Sequence, residues 1–100
     1  MFTVGGVTYT LKYNIQKVKT IEMVTKTSII ADLAKGNGVL PFQTLETAFT
    51  HGLVEEVTNT AVKPSESIKM FEKVLEENGF ITVNTAIVEK LQSDLGFMFR

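Results

Sequence analysis

A chain of 100 residues with 44% hydrophobic and 21% charged side chains has enough apolar surface for one domain to bury a core without metal or disulfide staples. The absence of cysteine excludes disulfides, thiolate metal sites and cysteine catalysis. A net charge of -1 argues against general nucleic-acid affinity, which needs a dense basic surface. No apolar run approaches a bilayer span and the opening Met1-Phe2-Thr3-Val4-Gly5-Gly6 has no cationic leader, so a cytoplasmic protein without a membrane partner is expected.

Residues 1–13 read as a β-hairpin. Phe2-Thr3-Val4 and Val7-Thr8-Tyr9-Thr10-Leu11 flank Gly5-Gly6, a favoured centre for a two-residue turn because both positions need positive φ. Pairing Val4 with Val7 sets Thr3 against Thr8 and Phe2 against Tyr9, which collects Phe2, Val4, Val7 and Tyr9 on one face. A lone hairpin is marginal in water, so that face is expected to lie on the following helices or on a neighbouring subunit.

From Asn14 the period changes. Asn14 caps a helix in which Ile15, Val18, Ile21 and Val24 recur every third residue, a drifting stripe that predicts burial on more than one side. This helix stops near Lys26, and Ser28 caps a short one, Ile29 to Lys35, closed by Gly36 and followed by the connector Gly36-Asn37-Gly38. Pro41 opens the next helix, with Phe42, Leu45, Phe49 and Leu53 on its apolar face. Residues 54–63 show no helical stripe and read as a loop with one extended patch. Pro64-Ser65-Glu66 reopens a helix that buries Ile68, Met70, Phe71, Val74 and Leu75 and ends at Asn78-Gly79. Thr82 is placed as the cap of the last helix, whose core face is Ala86, Ile87, Leu91 and Leu95. The expected fold is mainly α: one small helical domain spanning 1–100, with the hairpin at 1–13 and about five helices over 14–100.

Charge is divided along the chain. Residues 1–38 carry five Lys against Glu22 and Asp32, a net +3, whereas residues 39–100 carry four Lys and Arg100 against eight Glu and Asp94, a net -4. Either the halves attract as they pack within one molecule, the reading given more weight, or the basic end of one copy meets the acidic end of the next.

The chemistry-bearing residues form no catalytic or cofactor pattern, and the expectation is a non-enzyme with no cofactor and no metal. His51, the sole histidine, sits near a helix end where it suits the helix dipole. Glu55-Glu56 and Glu76-Glu77 are adjacent pairs; on a helix such neighbours point about 100° apart and do not converge on one atom. No EF-hand or phosphate-loop spacing occurs. Phe97, Met98 and Phe99 are an unusually apolar terminus and the candidate partner-binding residues, with folding back over the hairpin as the equal alternative.

The order of these pieces resembles the tail assembly chaperones of long-tailed bacteriophages and prophages of Gram-positive hosts. The resemblance rests on Tyr9-Thr10-Leu11-Lys12-Tyr13, on the helix from Asn14 to Glu22, and on Lys26-Thr27-Ser28-Ile29-Ile30-Ala31-Asp32-Leu33. It continues through Gly36-Asn37-Gly38, Leu40-Pro41, Thr44 to Leu53 and Leu75-Glu76-Glu77-Asn78-Gly79-Phe80. Val54 to Lys63 departs from the family, being shorter and more Thr-rich than its acidic Asp-Pro loop. The resemblance implies a mostly helical fold with a small β element and a non-enzymatic role in the bacterial host. That role is to coat the tape measure protein, aid recruitment of tail tube protein, and self-associate. Members of the family are often made in two lengths, the longer by minus-one ribosomal frameshifting, with an ordinary terminus as the equal alternative for this chain. Leu95-Gly96-Phe97 permits a slippery G GGU UUY heptamer, whereas Gly79-Phe80 after Asn78 does not. Two other classes fit less well: a structural head-to-tail joining protein of the virion, and a helical transcription regulator, disfavoured because the later helices carry the acidic excess.

Overall fold

The computed structural model describes residues 2–100. Two short strands, β1 (Phe2–Val4) and β2 (Val7–Leu11), form the N-terminal hairpin in the register expected: Phe2 opposite Tyr9, Thr3 opposite Thr8 and Val4 opposite Val7. Gly5 and Gly6 turn the chain with φ of 58° and 81°, both in the left-handed region that side chains disfavour. The ring of Phe2 stacks between Tyr9 and Phe49, each centroid 6.0 Å away, so the helix that carries Phe49 covers the apolar face of the hairpin.

Helix α1 (Ile15–Thr25) begins at Asn14, whose extended backbone lets its side-chain oxygen accept from the Lys17 amide at 2.9 Å. It ends at Lys26, left-handed at φ 59°, whose N–H reaches the Glu22 carbonyl. Ser28 caps α2 (Ile29–Lys35) through the Ala31 amide. The closing left-handed residue is Asn37 rather than Gly36, and Gly38 donates back to the Leu33 carbonyl at 2.8 Å. Gly36 is needed for a different reason, because a Cβ there would collide with the Val39 carbonyl oxygen.

Helix α3 (Phe42–Gly52) is the central element and packs against β2, α1, α4 (Pro64–Asn78) and α5 (Phe80–Asp94). Leu45, Ala48 and Phe49 bury its inner face. Around them gather Tyr13, Val18, Ile21, Ile29, Leu40, Phe71, Val83, Ile87, Leu91 and Leu95. A single turn of 3-10 helix, Gly96–Phe99, packs against α5 and finishes the chain.

The segment expected to be a loop is a second hairpin. Leu53 leaves α3 and starts β3 (Leu53–Glu55), which pairs with β2, and β4 (Thr60–Ala61) pairs with β3, giving an antiparallel sheet in the order β1-β2-β3-β4. Residues 14–100 are therefore not purely helical. Leu53 and Val54 are both buried although they point to opposite faces, as an interior strand covered on both sides requires.

Several expectations about faces are corrected as well. Helix α1 buries only Val18 and Ile21, and leaves Ile15 and Val24 about half exposed. Ile68, 38% exposed, and Ala86 are also exposed rather than buried. Phe42 is 52% exposed, yet its ring meets Phe71 edge-on at 5.7 Å and stacks on Phe80 at 6.0 Å. Helix α5 starts two residues before Thr82, at Phe80, because Gly79 (φ 87°) turns the chain directly from α4 into α5.

Two substitutions test this description by chemical denaturation. Replacing Gly5 and Gly6 with Ala meets no neighbouring atom and costs only backbone strain, about 1 kcal/mol per site. Gly52→Ala sets a methyl 2.5 Å from the Tyr13 ring, and a loss of about 3 kcal/mol is expected from such overpacking.

Candidate functional site

The terminal apolar residues divide between two roles. Phe97 is 48% exposed, whereas Met98 and Phe99 are half-buried and pack against the hydrophobic core. The 3-10 turn makes this division, since the Met98 N–H donates to the Leu95 carbonyl at 2.8 Å and Leu95 itself is buried. Three consecutive side chains spread around such a tight turn, so the three residues present one ring to solvent.

Two grooves adjoin the helices. The larger, about 270 Å³, runs between the hairpin and the α4–α5 pair, floored by Phe2, Leu11, Val74, Val83 and Ile87 with Lys90 at its edge. The smaller lies along α3, where Glu46, Thr50 and His51 face Val24 of α1 and Ile68 of α4. Sequence periodicity missed both, because Ala86, Val24 and Ile68 sit on stripes that read as core.

His51 lies in the last turn of α3, and its pKa is lowered by partial burial and then by the charge of Lys17. Glu55 and Glu56 follow one another at the end of β3, half-buried, and Glu76 and Glu77 stand exposed in the last turn of α4. Among the described residues no three His, Asp or Glu side chains gather as a metal site.

Polar groups converge instead at the start of α1. The Asp94 carboxylate accepts from the Tyr13 amide at 2.9 Å and pairs with Lys90 at 3.2 Å, the one salt bridge among the described residues. Among the described residues no close ion pair joins the basic and acidic halves, although the charge of Asp94 acts on Lys17. Lys17 donates to the Lys12 carbonyl and Lys12 to the Asn59 side chain, which ties the two hairpins together. Burial lowers the Lys17 pKa, against the pull of Asp94. The Tyr13 hydroxyl donates to the Ala48 carbonyl at 2.8 Å, fully buried. Burial, reinforced by Asp94, pushes its pKa far above the ordinary phenol value. This arrangement builds a scaffold, and the exposed side chains around it are the candidates for recognition.

Comparison with protein-family models, curated proteins and solved structures returns no match. Among the described residues no helix is long and apolar enough to cross a membrane.

Because Tyr13 ionises far less readily folded than unfolded, its contribution to stability is full below about pH 10 and declines as pH rises beyond that. Tyr13→Phe should flatten the alkaline arm of a pH–stability profile, at a cost of about 1 kcal/mol at neutral pH for the lost hydrogen bond.

Proposed function

We propose that this protein is a non-enzymatic tail assembly chaperone that coats a tape measure protein and brings tail tube subunits to it. The observation that carries the reading is the exposure of nine large hydrophobic side chains among the described residues, Phe97 and Phe42 among them. A protein that shields an aggregation-prone helical client needs apolar contacts held on a preformed surface, and Phe97 is held in this way by Met98 and Phe99. The order of elements quoted above, from Tyr9 through Phe80, supports the same reading.

Phe97→Asp is the direct test. It touches an exposed position, so the melting temperature should stay within a few degrees while co-purification with a co-expressed tape measure protein drops. Unchanged co-purification would count against the tail as the client site. Deleting residues 97–100 is a poorer test because it also removes core contacts of Met98 and Phe99.

Coating a long client also calls for contact between copies. With the halves at +3 and -4, self-association weakened by added salt is expected in light scattering. A monomer at every ionic strength and high concentration would sink the coating mechanism.

A further inference from the structure

Five asparagines occur in the chain, and two of them, Asn37 and Asn78, precede a glycine. That pairing has its own chemistry. The main-chain nitrogen that follows an asparagine can attack the asparagine's side-chain carbonyl, and glycine, having no Cβ, leaves the approach open. Asn14, Asn59 and Asn84 precede Ile15, Thr60 and Thr85, whose branched Cβ atoms crowd the same path.

The fold sets the two Asn-Gly pairs apart. Asn78 is the last residue of α4, a fifteen-residue helix that packs on α3 and α5. Its Nδ2 donates to the Val74 carbonyl at 2.9 Å and the Gly79 N–H donates to the Leu75 carbonyl at 2.8 Å, so both reacting groups are held in the helical turn. Asn37 lies beyond the end of α2, exposed, at a φ of 57°, and among the described residues no hydrogen bond holds its side chain. Helix α2 has only seven residues, too few to keep its end formed without tertiary support. That support comes from Asn84. The Gly38 N–H donates to the Leu33 carbonyl at 2.8 Å, while the Gly38 carbonyl accepts from Asn84 Nδ2 at 3.0 Å and the Leu40 N–H donates to Asn84 Oδ1 at 2.9 Å. The connector must leave Asn84 before the Gly38 nitrogen is free to turn toward Asn37.

We infer that Asn37 is a self-modification site, reacting with Gly38 through a succinimide at a rate that Asn84 governs. When the connector opens, the Gly38 nitrogen gives its proton to solvent base and bonds to Cγ of Asn37. The Cγ–Nδ2 bond breaks, and ammonia leaves with a proton from water. Water then opens the five-membered ring at either carbonyl, giving aspartate or the isoaspartate whose main chain runs through Cγ. Nothing is oxidised or reduced. Either product places a negative charge at the C-terminal end of α2, against the helix dipole. Isoaspartate also lengthens the main chain between Gly36 and Gly38, which draws Gly38 and Leu40 off Asn84 and leaves an amide that is 4% exposed without its partners. The inference concerns this connector alone and does not depend on a client.

The test is mass-spectrometric peptide mapping of the full chain aged in mildly alkaline buffer, with chromatography separating isoaspartate from aspartate. Product should accumulate at Asn37 about tenfold faster than at Asn78, and in urea the two rates should converge because the fold no longer distinguishes them. Asn84→Ala should raise the Asn37 rate several-fold and leave that of Asn78 unchanged. If that variant does not fold, hydrogen exchange of the wild-type protein decides the role of Asn84: the Gly38 and Leu40 amides should exchange at one common rate, faster than the Gly79 amide. Asn37→Gly keeps the positive φ and lacks the reacting side chain, so the aged wild-type protein should melt several degrees below the fresh one while aged Asn37→Gly should not. Faster reaction at Asn78, no reaction at Asn37 in the folded chain, or a rate difference that persists in urea would overturn the inference. So would an unchanged Asn37 rate in folded Asn84→Ala, separate exchange rates for Gly38 and Leu40, or an equal loss of melting temperature in aged Asn37→Gly.

Discussion

Tyr13 is the point through which the β and α parts of the molecule are joined. Its hydroxyl binds the Ala48 carbonyl inside α3, its backbone N–H binds Asp94 at the end of α5, and its ring lies over Gly52, where the absent side chain leaves room for it. Each contact is of ordinary strength. Together they fix the exit of the first hairpin relative to two helices, and β3 can pair with β2 only because Gly52 and Leu53 leave α3 at that spot. The Lys12 amide confirms the alignment by donating to the Gly52 carbonyl at 2.9 Å, one residue beyond the β2–β3 ladder.

The remaining polar groups inside the domain act as tethers of the same kind. Asn84, on α5, accepts from the Leu40 amide at 2.9 Å and donates to the Gly38 carbonyl at 3.0 Å, which fastens the connector between α2 and α3 to a helix some 45 residues later in the chain. Asp32 joins Thr27 and Thr44, and no buried side-chain polar atom among the described residues lacks a partner. Of the two carboxylates in α1 and α2, Glu22 accepts the Ile29 amide and Asp32 is buried. The excess of lysine in the first half and of glutamate in the second is set by the sequence itself.

The hairpin and the helix boundaries were legible because each has a local cause: two glycines for the turn, Asn14 and Ser28 for the caps, Pro64 and Gly79 for the limits of α4. The second hairpin was not legible, because β3 and β4 are three and two residues long and β3 is held in the sheet by β2, more than 40 positions earlier. Periodicity also overstated burial at Ile15, Val24 and Ile68, since a stripe shows that a face is apolar without showing what lies on it. For the same reason the tail of Phe97, Met98 and Phe99 could be recognised as unusual, while its split into one exposed ring and two anchored side chains required the 3-10 turn to be seen.

The long-range ties set an order in which the molecule can be completed during synthesis. The β1–β2 hairpin and the helices α1 and α2 are local and can form as they leave the ribosome. The sheet waits for residues 53–55, and the Tyr13 amide waits for Asp94, 81 positions later. Until that residue emerges, the ring of Tyr13 has its seat on Gly52 without the anchor beside it. Closure of the domain is thus delayed until α5 has been translated, because Val83, Ile87 and Leu91 of that helix complete the core.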